Sequence, residues 1–295
     1  MTEAEFLARL RRLPLHPGAR GLADDAAVVG GLVVTTDTLV EGVHFLPDDP
    51  PGDVAWKLMA VNLSDLAAKG ATPEGVLLNY PLRDPAWDAA FVTGLAEALA
   101  AFECPLIGGD TVSLPRGSPR VLTLTAFGRD APAPSRAGAQ AGDGLWVTGV
   151  IGDAGAGLRI ARGEPGPAAL LRAYRRPRPR LAEGRALGPV VHAMSDVSDG
   201  LLIDAARMAA ASGLAVTVDL GRIPLSPELR ALNPDPLAAA TAGDDYELLF
   251  ALPQGATPPI PATRVGRFAA GEGLTLMRAG APVPPPASLG YEHGT

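Results

Sequence analysis

The alternation of apolar and polar positions divides the chain into short β-rich runs and a few helices. Behind Thr2 and Glu5, a capping-box pair, the N-terminal residues MTEAEFLARLRRL form an amphipathic helix. AAVVGGLVVTTD at 26–37 is two β-rich runs joined by Gly30-Gly31, which predicts a hairpin. Residues 38–50 read as a loop. A helix is predicted over 52–69, opened near Pro51 and stopped by Gly70. Apolar residues cover most of its circumference, which marks it as buried. Strands follow at 74–82, 104–112 and 121–128, with a helix at 85–102. Residues 1–130 thus read β-β-α-β-α-β-β, an α+β domain.

The Pro-, Ala- and Gly-rich stretch 131–143 is the predicted junction, so the second domain spans 131–295. It opens on a strand at 145–152 and a small-residue helix at 153–163. Two short helices at 168–189 flank RRPRPR, whose arginines read as a solvated face. Strand, turn and helix follow over 190–213, then a strand at 214–220. A Gly-Asp-Asp turn leads into a strand within 241–252, and 264–277 supplies two more.

The polar interruptions carry the chemistry. Asp65 breaks the buried helix, and a buried carboxylate needs a cation or several donors. DDAAVV at 24–29, TTDTLVEGVHF at 35–45, IGGDT at 107–111 and SDVSDG at 195–200 repeat the theme of Asp in an apolar or Gly-rich setting. Mg²⁺ takes oxygen ligands and usually bridges carboxylates to substrate phosphates. Asp24, Asp37, Asp65, Asp110, Asp196 and Asp199 fit that requirement, with Thr35, Thr36 and Ser198 as neutral oxygens. Each has a plainer reading. Asp24-Asp25 suits a solvated turn, Asp199 a helix N-cap, and His44 a structural hydrogen bond. Gly108-Gly109 permits close approach to a phosphate, and Arg136 reads equally as a phosphate partner or a linker arginine.

Composition narrows the classes. The 295 residues are 47% hydrophobic and 19% charged, as in a globular protein. The net charge of -7 gives the surface no general attraction for nucleic acid. One cysteine, Cys104, forbids an intrachain disulfide and reads as a buried inert thiol. No apolar run approaches the ~20 residues of a membrane span, and the expected location is the cytoplasm. There is no G-x-x-x-x-G-K-[ST] and no kinase catalytic-loop or DFG motif. Phosphate charge would then be met by metal ions, backbone N–H groups and arginine.

Taken in order, DDAAVV, TTDTLVEGVHF, AVNLSDLAAKGA, LIGGDT, SRAGAQAGD, SDVSDGL and AGDDYELLF resemble the thiamine-monophosphate kinase family. The resemblance runs from residue 24 to 250. It implies a two-domain fold of the aminoimidazole-ribonucleotide-synthetase type, an N-terminal sheet pairing across a homodimer and a C-terminal α/β domain. It implies ATP- and Mg²⁺-dependent phosphorylation of thiamine monophosphate to thiamine diphosphate. By resemblance, Asp24, Asp37, Asp65, Asp110, Asp196 and Asp199 match metal positions, assisted by Thr35 and Thr36, with Asp65, Asp110 and Asp196 central to catalysis. Gly109, Asp110, Arg136 and Ser198 match nucleotide contacts. His44, Asp244 and Tyr291 match substrate contacts, although Asp244 stands where the family usually carries Glu. The acceptor is an already ionised phosphate, so positioning and charge neutralisation would carry the reaction. The competing readings are another ATP-using enzyme of the same fold and a non-catalytic nucleotide sensor.

Overall fold

The structure is a computed structural model that describes residues 2–115 and 117–292. The N-terminal half runs α1 (Glu3–Leu10), β1 (Ala27–Val29), β2 (Leu32–Val40), α2 (Pro51–Ala68), β3 (Thr72–Leu82), α3 (Pro85–Ala101), β4 (Leu106–Ser113) and β5 (Val121–Arg129). Its five strands form one sheet in the order β1-β2-β5-β3-β4. Only β3 and β4 pair in parallel, and α3 is the crossover that such a pair requires. Thr2 and Glu5 form the expected capping box on α1. Asp84 caps α3 by accepting from Ala86 N at 3.0 Å and Trp87 N at 2.9 Å.

The C-terminal half contains β6 (Gly144–Val147), α4 (Asp153–Ala161), α5 (Ala168–Arg175), α6 (Leu181–Leu187), β7 (Ala193–Val197), α7 (Leu201–Ser212) and β8 (Ala215–Asp219). It continues with α8 (Pro227–Ala231), α9 (Pro236–Ala240), β9 (Glu247–Leu252), β10 (Thr263–Ala269), β11 (Gly273–Arg278) and β12 (Ala281–Val283). These strands form a second sheet, β12-β11-β8-β10-β6-β9-β7, in which only β8 and β11 run parallel. Between β8 and β9 the sequence reads as a loop and one short helix, whereas the structure has two, α8 and α9, and the β12 edge has no counterpart in that reading. These elements are too short for a period to register, at 3 residues for β12 and 5 for each helix, and each holds a proline.

Helix α2 lies between the two sheets. It packs on β2, β3 and β5 of the first sheet, on β7 and β9 of the second, and on α3, α5 and α6. Burial all round explains why its apolar residues show no single stripe. Leu58, Met59, Leu63 and Leu66 have no exposed surface. The helix ends at Gly70, whose φ of +64° disfavours a side chain, and Ala71 N closes the turn on Leu66 O at 3.0 Å.

The arginine run is not the solvated face expected of it. Arg175 pairs with Asp49 at 2.8 Å and Arg176 with Asp53 at 2.6 Å, both on or before α2. Arg176 also reaches Glu97 of α3 at 2.7 Å and lies over the Trp56 ring. Arg180 is bound by the buried Glu247 of β9. Carboxylates of α2, α3, β9 and the loop before α2 face this segment and pair with Arg175, Arg176 and Arg180, while Arg178 is exposed as expected. Cys104 is buried, and burial raises its thiol to about 11, so it is inert at neutral pH as expected.

Candidate active site

The pleat of β2 decides which of its polar residues reach α2. Val33, Thr35 and Leu39 are buried toward the helix, with Asp37 on the same face. Asp65 projects from α2 to meet them. The Thr35 hydroxyl donates to Asp65 Oδ2, and Thr35 Oγ1 also lies 3.2 Å from Asp25 O. Asn62, one turn before, accepts from the Asp37 backbone N–H at 3.0 Å and donates to Leu58 O at 3.0 Å. The second domain supplies Asp196 at the end of β7, where Ser64 Oγ donates to its Oδ2 at 2.5 Å. Carboxylate oxygens of Asp25, Asp65 and Asp196 thereby come within 4.8 Å of one another.

These charges are poorly compensated. Burial raises the Asp65 carboxyl well above its ordinary value, and the charges of Asp37, Asp196 and Asp25 raise it further against the Thr35 hydrogen bond. Asp196 is raised by burial and then by Asp25, although Ser64 opposes this. Asp37 is raised to about 6 by burial, then by Asp199 and Asp25. Oxygen donors gathered at this distance, in a state that favours protonation when bare, fit a hard divalent cation. Mg²⁺ held there would involve Asp25, Asp65 and Asp196, with Asp37 beside them.

Asp25, not Asp24, is the member of that group. The Asp24 carboxylate turns away to Lys69 Nζ at 2.5 Å and Arg20 at 2.7 Å. Burial works to raise Asp24, but Lys69 and Arg20 outweigh it and hold the carboxyl below its usual range. Arg136 pairs with Asp25 and lies mostly buried, which ends its reading as a linker arginine. Asp199 is not the cap of α7, because Gly200 occupies that position. No side chain caps α7; Asp204 inside the helix instead holds the preceding turn, accepting from the backbone N–H groups of Ser198 and Asp199 at 3.2 Å each. Asp199 is held by Arg207 and stays partly open.

A cleft of about 880 Å³ runs from this cluster. Asp37, Asp65, Asp196, Ser198 and Asp199 line one part of it. His44, Asp244, Tyr246 and Tyr291 line another. His44 Nδ1 accepts from Val40 N at 3.0 Å, and its backbone carbonyl accepts from Lys57 Nζ at 3.0 Å. Lys57 also bridges the halves of the chain by pairing with Asp244 at 2.7 Å. Tyr246 OH donates to the other Asp244 oxygen at 3.0 Å. Tyr291 N donates to Asp199 O at 2.9 Å, which anchors the tail against the cleft, and the residues 293–295 that follow lie outside the described residues.

Three expected site residues stand apart. Thr36 points to the opposite face of β2, where its hydroxyl bonds Leu124 O at 3.1 Å and Thr125 at 3.0 Å. Gly109 and Asp110 lie on the exposed edge strand β4, beyond β5 and β3 from β2. Gly109 has its own structural cause, since a Cβ there would strike the Leu78 backbone of β3. The sequence reading overlooked Asp25, Asp204, Lys57 and Lys69. The signal for the lysines was present: they are the chain's only two, one within the buried helix and one at its end.

The family model for the N-terminal domain of AIR synthase related protein matches residues 23–129, and the one for the C-terminal domain matches 140–277. Thiamine-monophosphate kinase of Caulobacter vibrioides is 41% identical, over 99% of this chain and 91% of its own. The chain belongs to the thiamine-monophosphate kinase family. The structure solved as AaThiL complexed with AMPPCP and TMP is 29% identical, with a TM-score of 0.89 over 99% of this chain and 97% of that one. Thiamine-monophosphate kinase from Stenotrophomonas maltophilia is 36% identical, with a TM-score of 0.77. Membership in the thiamine-monophosphate kinase family favours that reaction over the sibling synthetases of the same fold.

Proposed function

We propose that this chain transfers the γ-phosphoryl group of ATP directly onto the phosphate of thiamine monophosphate, giving thiamine diphosphate and ADP. The relative solved with an ATP analogue and TMP supports both substrates. The observation that carries the reading is the juxtaposition of Asp25, Asp65 and Asp196 at the head of a cleft large enough for two small molecules. Mg²⁺ held there would neutralise phosphate charge. Arg136 and Arg207 sit behind the carboxylates and keep Asp25 and Asp199 oriented. No strong base is needed, because the acceptor oxygen is ionised at neutral pH.

In this reading the acceptor end of the cleft is the His44, Asp244 and Tyr291 side. Residues 1–130 provide most of the metal ligands, and 131–295 close the cleft with Asp196, Ser198 and Asp244. A homodimer accounts for β4, where Leu106, Ile107 and Val112 of an edge strand are all exposed. We assign Gly109 and Asp110 to that assembled dimer. Among the described residues no helix is long and apolar enough to cross a membrane, and we place the enzyme in the cytoplasm.

The test is product formation from ATP, Mg²⁺ and thiamine monophosphate, with thiamine as a parallel acceptor. Thiamine diphosphate with equimolar ADP, from the monophosphate alone, is the expected result. Hydrolysis of ATP without diphosphate, or phosphorylation of thiamine, would overturn the assignment.

A further inference from the structure

Lys69 follows the last residue of α2, and its side chain is completely buried. Its ammonium faces four oxygens from three separate places in the chain. Asp24 Oδ1 is 2.5 Å away and Asp25 Oδ2 2.8 Å. The backbone carbonyls of Pro134 and Met194 each accept from it at 3.1 Å. Two carboxylates and two carbonyls around one positive centre make an oxygen cage of the kind that holds a metal ion. An ammonium has three protons for these four oxygens. The C-terminal end of a helix adds further negative potential at the same point.

We propose that Lys69 is a tethered cation, standing where a diffusible ion would otherwise be needed, and that it positions Asp25 for the neighbouring metal cluster. This rests on the reading that Asp25, Asp65 and Asp196 bind Mg²⁺. A compact point charge suits the cage, whereas the planar guanidinium of arginine would not meet oxygens arranged around a centre. The cage joins the first hairpin, the junction at 134 and strand β7, so it ties both halves of the chain to the end of α2. A fixed cation occupies that place whatever the metal concentration, so Asp25 keeps its orientation before Mg²⁺ arrives.

The test counts Mn²⁺ bound to the full chain by electron paramagnetic resonance. It compares wild type, Lys69→Met, and Lys69→Met combined with Asp24→Asn. Methionine keeps roughly the length of the side chain and removes the charge. Lys69→Met should bind one more Mn²⁺ per chain than wild type, and its melting temperature should climb with Mn²⁺ beyond any rise in wild type. The double variant lacks both the cation and one cage carboxylate, and should return to the wild-type count. An unchanged count in Lys69→Met, with wild-type Mn²⁺ binding intact, overturns the tethered-cation role alone. No Mn²⁺ bound by wild type overturns the metal reading and this inference together. If Lys69→Met is isolated unfolded, Mn²⁺ should refold it; failure to refold at any Mn²⁺ concentration overturns the proposal.

Discussion

The two parts of the cleft treat carboxylates in opposite ways. At the His44 side, Asp244 is answered within the protein by Lys57 at 2.7 Å and by the Tyr246 hydroxyl. At the cluster, among the described residues, Asp65 and Asp196 receive only hydroxyl groups, from Thr35 and Ser64, and face other carboxylates. A balanced pair holds a shape, whereas an unbalanced group waits for charge from outside. The contrast teaches where binding energy is stored. The cluster is costly to the bare protein, and a cation that relieves it binds and stabilises at once.

The sharpest break is Asp65→Asn. It should lower kcat by at least ~10³-fold, as expected when a metal ligand at the reacting phosphates is lost. In metal-free buffer the same variant should melt at a higher temperature than wild type, because a strained charge has gone. A lower melting temperature would show that Asp65 is compensated after all.

The pH response sharpens the comparison. Asp37 is raised to about 6 from an unfolded value near 3.8, so the folded state holds its proton more tightly. Its stability contribution is therefore full below the unfolded value and is lost as pH rises through about 6. Metal-free wild type should lose on the order of 1–3 kcal/mol across that window relative to Asp37→Asn. Saturating Mg²⁺ should flatten the difference. Parallel pH profiles in the two metal-free proteins would contradict it.

On the balanced side, Lys57→Met should cost about 1–3 kcal/mol in denaturant unfolding, since a buried partner is withdrawn from Asp244 and the His44 carbonyl. That loss should not depend on Mg²⁺. The smallest effect is His44→Ala, for which KM for thiamine monophosphate should rise about 10-fold while kcat stays near wild type. A fall in kcat with KM unchanged would move His44 from substrate binding to the chemical step.

Most elements of the fold are legible in the sequence, for specific reasons. Gly70, Pro51 and Pro85 mark helix ends by their own backbone restrictions, and those boundaries agree with the structure to about a residue. Asp65 is legible because a charge in an apolar helix demands a partner. The choice between Asp24 and Asp25 is not, since adjacent residues in a turn can face either way until Lys69 arrives from 45 positions along the chain. Thr36 was misread for a related reason. Two consecutive threonines look equivalent in a motif, but a pleat sends them to opposite faces. Arg175, Arg176 and Arg180 also depended on distant partners that local composition does not reveal.

The position of α2 has a bearing on how this chain folds and on how it can be divided. The family boundary between residues 129 and 140 suggests two modules that could be expressed apart. Yet Ala67 and Ala68 of α2 complete an apolar cluster with Met194, Leu248 and Phe250 of the second sheet. A fragment beginning after residue 130 would leave that surface wet, and a fragment ending there would carry a helix with one bare side. The module seen by sequence similarity is thus not a unit of cooperativity. Both halves should melt in a single transition, with α2 as the shared element whose loss dissolves them together.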